Sequence, residues 1–107
     1  VQIPYDVILF IEKNVEVAYS TVVTKNDRIV IKNAIKNIEE QLKESGNFFR
    51  THRSCIVNID NIISVELKAC IIHFHGDETA QLSRDRKKEL KERLGKFPKT
   101  SKKEVTL

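Results

Sequence analysis

Side chains that could bind a polyanion gather at two places in the chain. The donors form one group of Arg50, His52, Arg53 and Ser54, within the stretch FFRTHRSCIVNIDNI (residues 48–62), and a second group of Arg84, Arg86, Lys87 and Lys88. Lysine and arginine neutralise phosphates, and an arginine fork can pair with guanine O6 and N7 in the major groove. Two such groups, far apart in the chain, indicate two footprints on one duplex. The alternative is that these charges only solvate the surface.

The net charge is unevenly distributed along the chain. Residues 1–83 carry 9 Lys and Arg against 11 Asp and Glu, a net charge of −2. Residues 84–107 carry 10 against 4, a net charge of +6. This asymmetry is typical of nucleic-acid binding, although a solvated, lysine-rich tail gives the same count. A helix that begins near residue 84 would also offer backbone N–H groups to a phosphate.

Two histidines suggest a metal site. His73 and His75 stand at alternate positions of a strand-like run, and alternate residues of a strand share a face. A third ligand would have to be Asp77, Glu78 or His52. Because a metal site normally has three or four convergent ligands, the pair is interpreted as solvent-facing. No metal or other cofactor is expected.

A nucleophile beside a histidine would suggest a hydrolase. Ser54 and Cys55 closely follow His52, but the chain has no nucleophile elbow and no carboxylate placed to orient the imidazole. The three glycines are scattered singly rather than grouped in a phosphate-binding loop. The sequence therefore predicts a protein that is not an enzyme.

Aromatic residues give little support for binding of single strands. Four of the phenylalanines lie in strand-like apolar runs, where core packing is the default: Phe10, Phe48, Phe49 and Phe74. Duplex DNA is therefore favoured over single-stranded RNA.

The composition is typical of one globular domain. The chain has 107 residues, 40% hydrophobic and 32% charged, and no apolar run approaches the length of a transmembrane helix. Cys55 and Cys70 each lie inside an apolar run, which favours buried thiols in a reducing compartment and hence the cytoplasm. Because the chain opens on Val and contains no Met, a further domain upstream is expected.

The pattern of apolar residues predicts a mostly β domain with one main helix. Short runs rich in β-branched residues predict strands over 7–12, 15–23, 29–31, 48–52, 55–59, 62–67, 70–75 and 79–82. Gly76 and Asp77 predict a two-residue hairpin loop between the last two of these strands.

Helical spacing is confined to two segments. The main helix is predicted from an apolar stripe of Ile31, Ala34, Ile35, Ile38 and Leu42, with Asn33 as its N-cap and Gly46 and Asn47 at its end. A shorter, highly charged helix is predicted after Ser83. The segment 95–107 is predicted to be a basic, disordered tail.

FFRTHRSCIVNIDNI, followed by an apolar pair of strands and then LSRDRKKELKERL, resembles the LytTR family of bacterial DNA-binding domains. The strand VILFIE and the helix IKNIEEQL fall in the places that this family uses. The resemblance covers roughly residues 3–94, so we expect one domain over 1–94 with the tail outside it. It implies antiparallel β-sheets with one main helix and a short C-terminal helix, and loops rather than a recognition helix in the major groove.

The resemblance also implies roles for individual residues. Arg53 and Arg84 match base-reading positions, and Ser54, Arg86 and Lys87 match or adjoin contacts to the DNA backbone. A third contact segment is KNVEVAYS, in which Lys13, Asn14 and Tyr19 are the candidates. Two polar residues have structural alternatives: His52 either touches phosphate or fixes the loop, and Asn58 is expected to bond to buried backbone.

The family resemblance further implies partners. They are double-stranded promoter DNA, bound by two copies at repeated sites, and a phosphorylated receiver domain upstream, with no membrane involved. The chain would then be the output domain of a two-component transcription regulator. The alternative from another class is a basic protein-interaction module that lacks sequence-specific DNA binding.

Overall fold

The computed structural model describes residues 2–16, 18–45 and 47–95. In these ranges the chain forms eight β-strands and two α-helices. The elements, in chain order, are β1 (Ile8–Lys13), β2 (Ser20–Thr24), β3 (Arg28–Ile31), α1 (Ile35–Leu42), β4 (Phe48–His52), β5 (Cys55–Asn58), β6 (Ser64–Glu66), β7 (Ile71–His73), β8 (Thr79–Gln81) and α2 (Lys87–Gly95). Gly46, and the predicted tail after Gly95, lie outside the described residues.

The strands form two antiparallel sheets. The larger sheet has the order β3-β2-β1-β5-β4, and the smaller has the order β6-β7-β8. β1 and β5 are two of the three inner strands of the larger sheet, and their buried, nearly unbroken apolar sequences are expected for strands covered on both faces. The mostly β fold predicted from the sequence is therefore confirmed. None of the helices in the described ranges is long and apolar enough to span a membrane.

Two apolar cores lie on opposite faces of the larger sheet. On one face α1 packs through Ile35, Ile38 and Leu42 against the sheet residues Ile11 and Ile56. On the other face the smaller sheet and α2 enclose a second cluster, which includes the fully buried Leu9, Phe10, Val57, Ile72 and Leu90. A bulge in β1, between Ile8 and Phe10, breaks the alternation of faces and lets the adjacent Leu9 and Phe10 join the same cluster.

Asn58 connects the end of β5 to the start of the chain. It is buried, and its Nδ2 donates to the carbonyls of Tyr5 and Ile8, each at 3.0 Å. Its Oδ1 accepts from the amide of Asp60 at 3.2 Å. The prediction that Asn58 satisfies buried backbone is therefore confirmed.

Several predicted element boundaries differ from the structure. The strand predicted from residue 15 begins at Ser20, because the preceding residues turn back through a bond from Tyr19 N to Glu16 O (3.0 Å). Ile31, which fitted the helical stripe, lies in β3 and pairs with Ser20. α1 begins at Ile35, so Ala34 rather than Asn33 takes the N-cap position.

The hairpin loop predicted at Gly76 and Asp77 joins the paired strands β7 and β8, but it has three residues, His75–Asp77, rather than two, and is closed by a bond from Phe74 N to Glu78 O. Gly76 has φ +75° and Asp77 has φ +62°, both in the left-handed region that glycine and aspartate tolerate best. The loop is exposed and stands at one end of the smaller sheet.

Candidate nucleic-acid interface

A bulge in β4 joins the two basic groups. Arg50 pairs with Ile56 and His52 pairs with Cys55, so Thr51 has no partner on β5. Its carbonyl instead accepts from the amide of Ser83 at 2.7 Å, and its Oγ1 donates to the carbonyl of Gln81 at 2.8 Å. Thr51 is fully buried. The β4–β5 loop, which carries Arg53, is therefore fastened to the segment that leads into Arg84.

A third connection lies beside these bonds, at the end of the inner strand β1. The amide of Lys13 donates to the carbonyl of Ser54 at 2.9 Å, at the point where β1 runs into the β1–β2 loop. The β1–β2 loop is closed by a bond from Asn14 N to Tyr19 O at 3.1 Å. The three segments that carry predicted contact residues thus meet at one edge of the domain.

Arg53 and Arg84 are exposed at this edge. Among the described residues, no salt bridge engages either guanidinium. Arg53 and Arg86 line one groove of about 450 Å³ between the β4–β5 loop and a short 3₁₀ turn, Arg84–Arg86. The guanidinium groups of Arg53 and Arg84 are therefore accessible to an external acceptor, which is the requirement for bidentate recognition.

Arg50 has a different environment from Arg53. Its Nη1 donates to Glu39 Oε1 at 2.6 Å, and its Nε donates to the carbonyl of His52 at 3.0 Å. Its Nη2 donates to the carbonyl of Arg53. The side chain is only 16% exposed. Although the sequence groups Arg50 with the basic donors, its guanidinium is directed at the protein itself.

His52 holds the β4–β5 loop from within. Its Nδ1 lies 2.8 Å from Ser54 Oγ and accepts from the amide of Ser54 at 3.2 Å. Of the two roles considered for His52, these contacts support fixing of the loop. Ser54 is half-buried, and its hydroxyl is already engaged by this imidazole.

The 3₁₀ turn Arg84–Arg86 changes what the start of α2 can offer to a phosphate. Arg86 N donates to Ser83 O at 3.0 Å, and Lys87 N donates to Arg84 O. These two amides are therefore engaged, and the expectation of free N–H groups does not hold for them. The half-buried Arg86 places its guanidinium carbon 6.0 Å from the centre of the Phe49 ring, while Lys87 is half-buried and forms no salt bridge with another described residue.

Asp85 is the acidic residue between Arg84 and Arg86. The Ser83 hydroxyl donates to Asp85 Oδ1, and this bond is the main reason that the pKa of Asp85 lies below its ordinary value. Asp85 also lines the groove with Arg53 and Arg86. A fixed carboxylate beside two arginines opposes unspecific attraction of phosphates and restricts where a polyanion can approach.

Comparison with known proteins decides the family. The profile of the LytTr DNA-binding domain matches residues 1–95. The chain belongs to the LytTR family. A solved structure similar to this LytTR domain is the LytTr DNA-binding domain of a Bacillus cereus protein named as a methyl-accepting/DNA response regulator. The TM-score is 0.74 at 19% identity, over 89% of this chain and 87% of that chain. Curated protein sequences contain no significant match.

The third loop of this LytTR domain is the β1–β2 loop together with Lys13 at the end of β1. Its candidate contact residues differ in exposure and in bonding. Lys13 is exposed and Tyr19 is half-buried. Asn14 Oδ1 accepts from Thr21 Oγ1 at 2.6 Å, so its amide oxygen is occupied while its Nδ2 faces no described acceptor within bonding distance. Val15, which sequence reasoning did not select, is fully exposed in this loop. No sequence signal distinguished it, because it read as part of the strand predicted over 15–23.

The metal site and the hydrolase considered from the sequence receive no support from the described residues. His73 Nε2 lies 2.5 Å from Glu66 Oε1, and no group of three metal-ligating side chains occurs within the described ranges. Burial raises the pKa of the Cys55 thiol to about 12, which makes it a poor nucleophile. LytTR is a family of DNA-binding domains and is not known as a family of enzymes.

Proposed function

We propose that this LytTR domain binds double-stranded DNA sequence-specifically, through loops at one edge of the domain. The observation that carries the proposal is the junction at Thr51, whose carbonyl and hydroxyl join the β4–β5 loop to the segment before Arg84. Because Thr51 is fully buried and its two bonds measure 2.7 and 2.8 Å, the two basic loops keep a fixed spacing. Fixed spacing is what two contacts to one groove require.

Arg53 and Arg84 are assigned to the bases in this proposal. Each is exposed and forms no salt bridge with another described residue, so each fork can form two parallel bonds to guanine O6 and N7. Ser54, Arg86 and Lys87 are assigned to phosphates on either side, and for Ser54 this requires its hydroxyl to exchange His52 Nδ1 for a phosphate oxygen. The half-buried position of Arg86 against Phe49 restricts its reach, which suits a contact to the backbone better than one to a base.

His52 would act chiefly by setting the loop, and the third loop would supply the remaining contact. Within it we rank Lys13 and the Nδ2 of Asn14 ahead of Tyr19. Lys13 is exposed, and the hydrogen bond from its backbone amide to the carbonyl of Ser54 keeps it beside the Arg53 loop. Tyr19 is half-buried and serves mainly to close the loop through its backbone.

We place this domain in the cytoplasm as the output domain of a two-component transcription regulator. The support is family membership and the response-regulator name of the B. cereus protein. A receiver domain would precede residue 1, its phosphorylation would raise the dimer population, and two copies would bind repeated promoter sites. We take residues 1–94 as the folded DNA-binding unit and 95–107 as a basic tail.

Selection of duplexes from a random library, with this domain as bait, tests the proposal. We expect enrichment of one short sequence, bound at least about 1,000-fold better than a scrambled duplex at physiological salt. The logarithm of the affinity should fall linearly with the logarithm of the salt concentration. Retention without any enriched sequence would contradict the proposal and would favour a basic protein-interaction module.

A further inference from the structure

Arg50 occupies the junction between α1 and the β4–β5 loop. Its three donor positions are directed at three acceptors, namely Glu39 Oε1 of α1 and the carbonyls of His52 and Arg53. The bond to Glu39 measures 2.6 Å and the bond to the His52 carbonyl measures 3.0 Å. One side chain therefore bonds both to the helix and to the backbone of His52 and Arg53, and Arg53 is the proposed base-reading arginine.

We infer that Arg50 is a positioning residue, which sets the sequence discrimination of this domain by holding the backbone of Arg53 while Glu39 holds Arg50. The inference rests on the proposed function. It assigns to α1, which lies on the far side of the sheet from the smaller sheet, an indirect part in DNA recognition.

The charge of Arg50 is already matched inside the protein. Its side chain is 16% exposed and its guanidinium is ion-paired, whereas Arg53 is exposed and forms no salt bridge with another described residue. Moving Arg50 onto a phosphate would leave Glu39 without its partner and two loop carbonyls without their donor. That exchange costs several hydrogen bonds to gain one contact.

The geometry of these three hydrogen bonds requires a guanidinium. Arginine presents donors in a rigid planar fork, while lysine presents one point charge on a flexible stem. A lysine at position 50 could still pair with Glu39, but it could not also bond to the carbonyls of both His52 and Arg53. The backbone of Arg53 would then sample more conformations, and a fork that is not held in register discriminates poorly between bases.

The experiment compares Arg50→Lys with a matched control, Arg28→Lys. Arg28 also bonds to two acceptors, Glu12 at 3.4 Å and Glu78 at 2.6 Å, but it contacts neither His52 nor Arg53. Both changes keep the net charge. The quantities measured are the affinities for the selected and scrambled duplexes, the salt dependence of each, and the free energy of unfolding in urea.

We expect Arg50→Lys to lower the ratio of the two affinities about tenfold, chiefly through weaker binding of the selected duplex. The affinity for scrambled duplex should stay within about twofold, and the salt dependence should not change. Arg28→Lys should leave the ratio unchanged within about twofold.

Glu39→Gln gives a second measurement that keeps Arg50 in place. Loss of a carboxylate should raise the affinity for both duplexes, so the ratio is the useful quantity, and we expect it to fall about threefold. The double variant with Arg50→Lys should have the same ratio as Arg50→Lys alone, because the two residues act in series.

Two results would overturn the inference. If Arg50→Lys weakened both duplexes by the same factor, and the charge-removing change Arg50→Gln reduced the salt slope, Arg50 would itself be a phosphate contact. If it lowered only the free energy of unfolding and left the ratio unchanged, its role would be purely structural. A wild-type domain without any preferred duplex would instead contradict the proposed function, before Arg50 is tested at all.

Discussion

The amide of Ser83 donates to the carbonyl of Thr51 at 2.7 Å, and this bond joins two segments that are far apart in the chain. It forms because the bulge in β4 releases the Thr51 carbonyl from pairing with β5. The Thr51 hydroxyl adds a second bond, to the carbonyl of Gln81. The two basic groups recognised in the sequence are thus parts of one structural unit.

Replacing Thr51 by Val tests the junction. Valine has nearly the same shape but leaves the Gln81 carbonyl without the Thr51 hydroxyl, in a site where Thr51 is fully buried. We expect the free energy of unfolding in urea to fall by about 1–3 kcal/mol. Thr79→Val, at an exposed position of β8, is the control and should change it by less than about 0.5 kcal/mol. Equal effects of the two changes would mean that the junction bond is not important for stability.

The two cysteines should differ in reactivity. Burial raises the pKa of Cys55 to about 12, and a bond with Thr51 opposes this only in part, so almost none of the thiol ionises near neutral pH. Cys70 is half-exposed. Because the thiolate is the reacting form, iodoacetamide should modify Cys70 at least about 100-fold faster than Cys55 in the native protein. Mass spectrometry of timed samples measures both rates, and the difference should disappear in concentrated urea. Comparable rates in the native protein would show that the region around Thr51 opens readily.

Lys87 is proposed to contact phosphate rather than bases. Lys87→Gln should therefore weaken the selected and scrambled duplexes by similar factors and reduce the slope of log affinity against log salt by about 1. Lys25→Gln provides the control, because Lys25 lies in the β2–β3 turn, at the opposite end of β2 from the interface. A change in the preference between duplexes, or an unchanged slope, would argue against the phosphate assignment.

Much of the fold was predictable because local patterns determine it. The apolar run of β1, the stripe of Ile35, Ile38 and Leu42, and the left-handed loop at Gly76 are each specified by neighbouring residues. The start of β2 was not predictable, since Val15 is β-branched yet stands exposed in a loop. Ile31 was wrongly predicted to belong to the helix for a similar reason, because a single residue between a strand and a helix fits the spacing of apolar residues in either element.

The candidate site was predictable in its residues but not in its arrangement. Arg53 and Arg84 were selected from residue types and family motifs, and the structure brings their loops to one edge. Arg50 looked equivalent to Arg53 in the sequence, and its contacts to Glu39 in α1 and to two loop carbonyls distinguish the two in the structure. The bulge at Thr51 also has no local signature, because its partner Gln81 lies 30 residues away.

Binding of the selected duplex by Arg53→Ala and Arg84→Ala tests the central claim most directly. If both arginines read bases, each change should lower the affinity for that duplex by about 1–3 kcal/mol and relax the preference at a separate position of the site. The scrambled duplex should lose much less. An unchanged preference for the selected over the scrambled duplex in both variants would contradict the account.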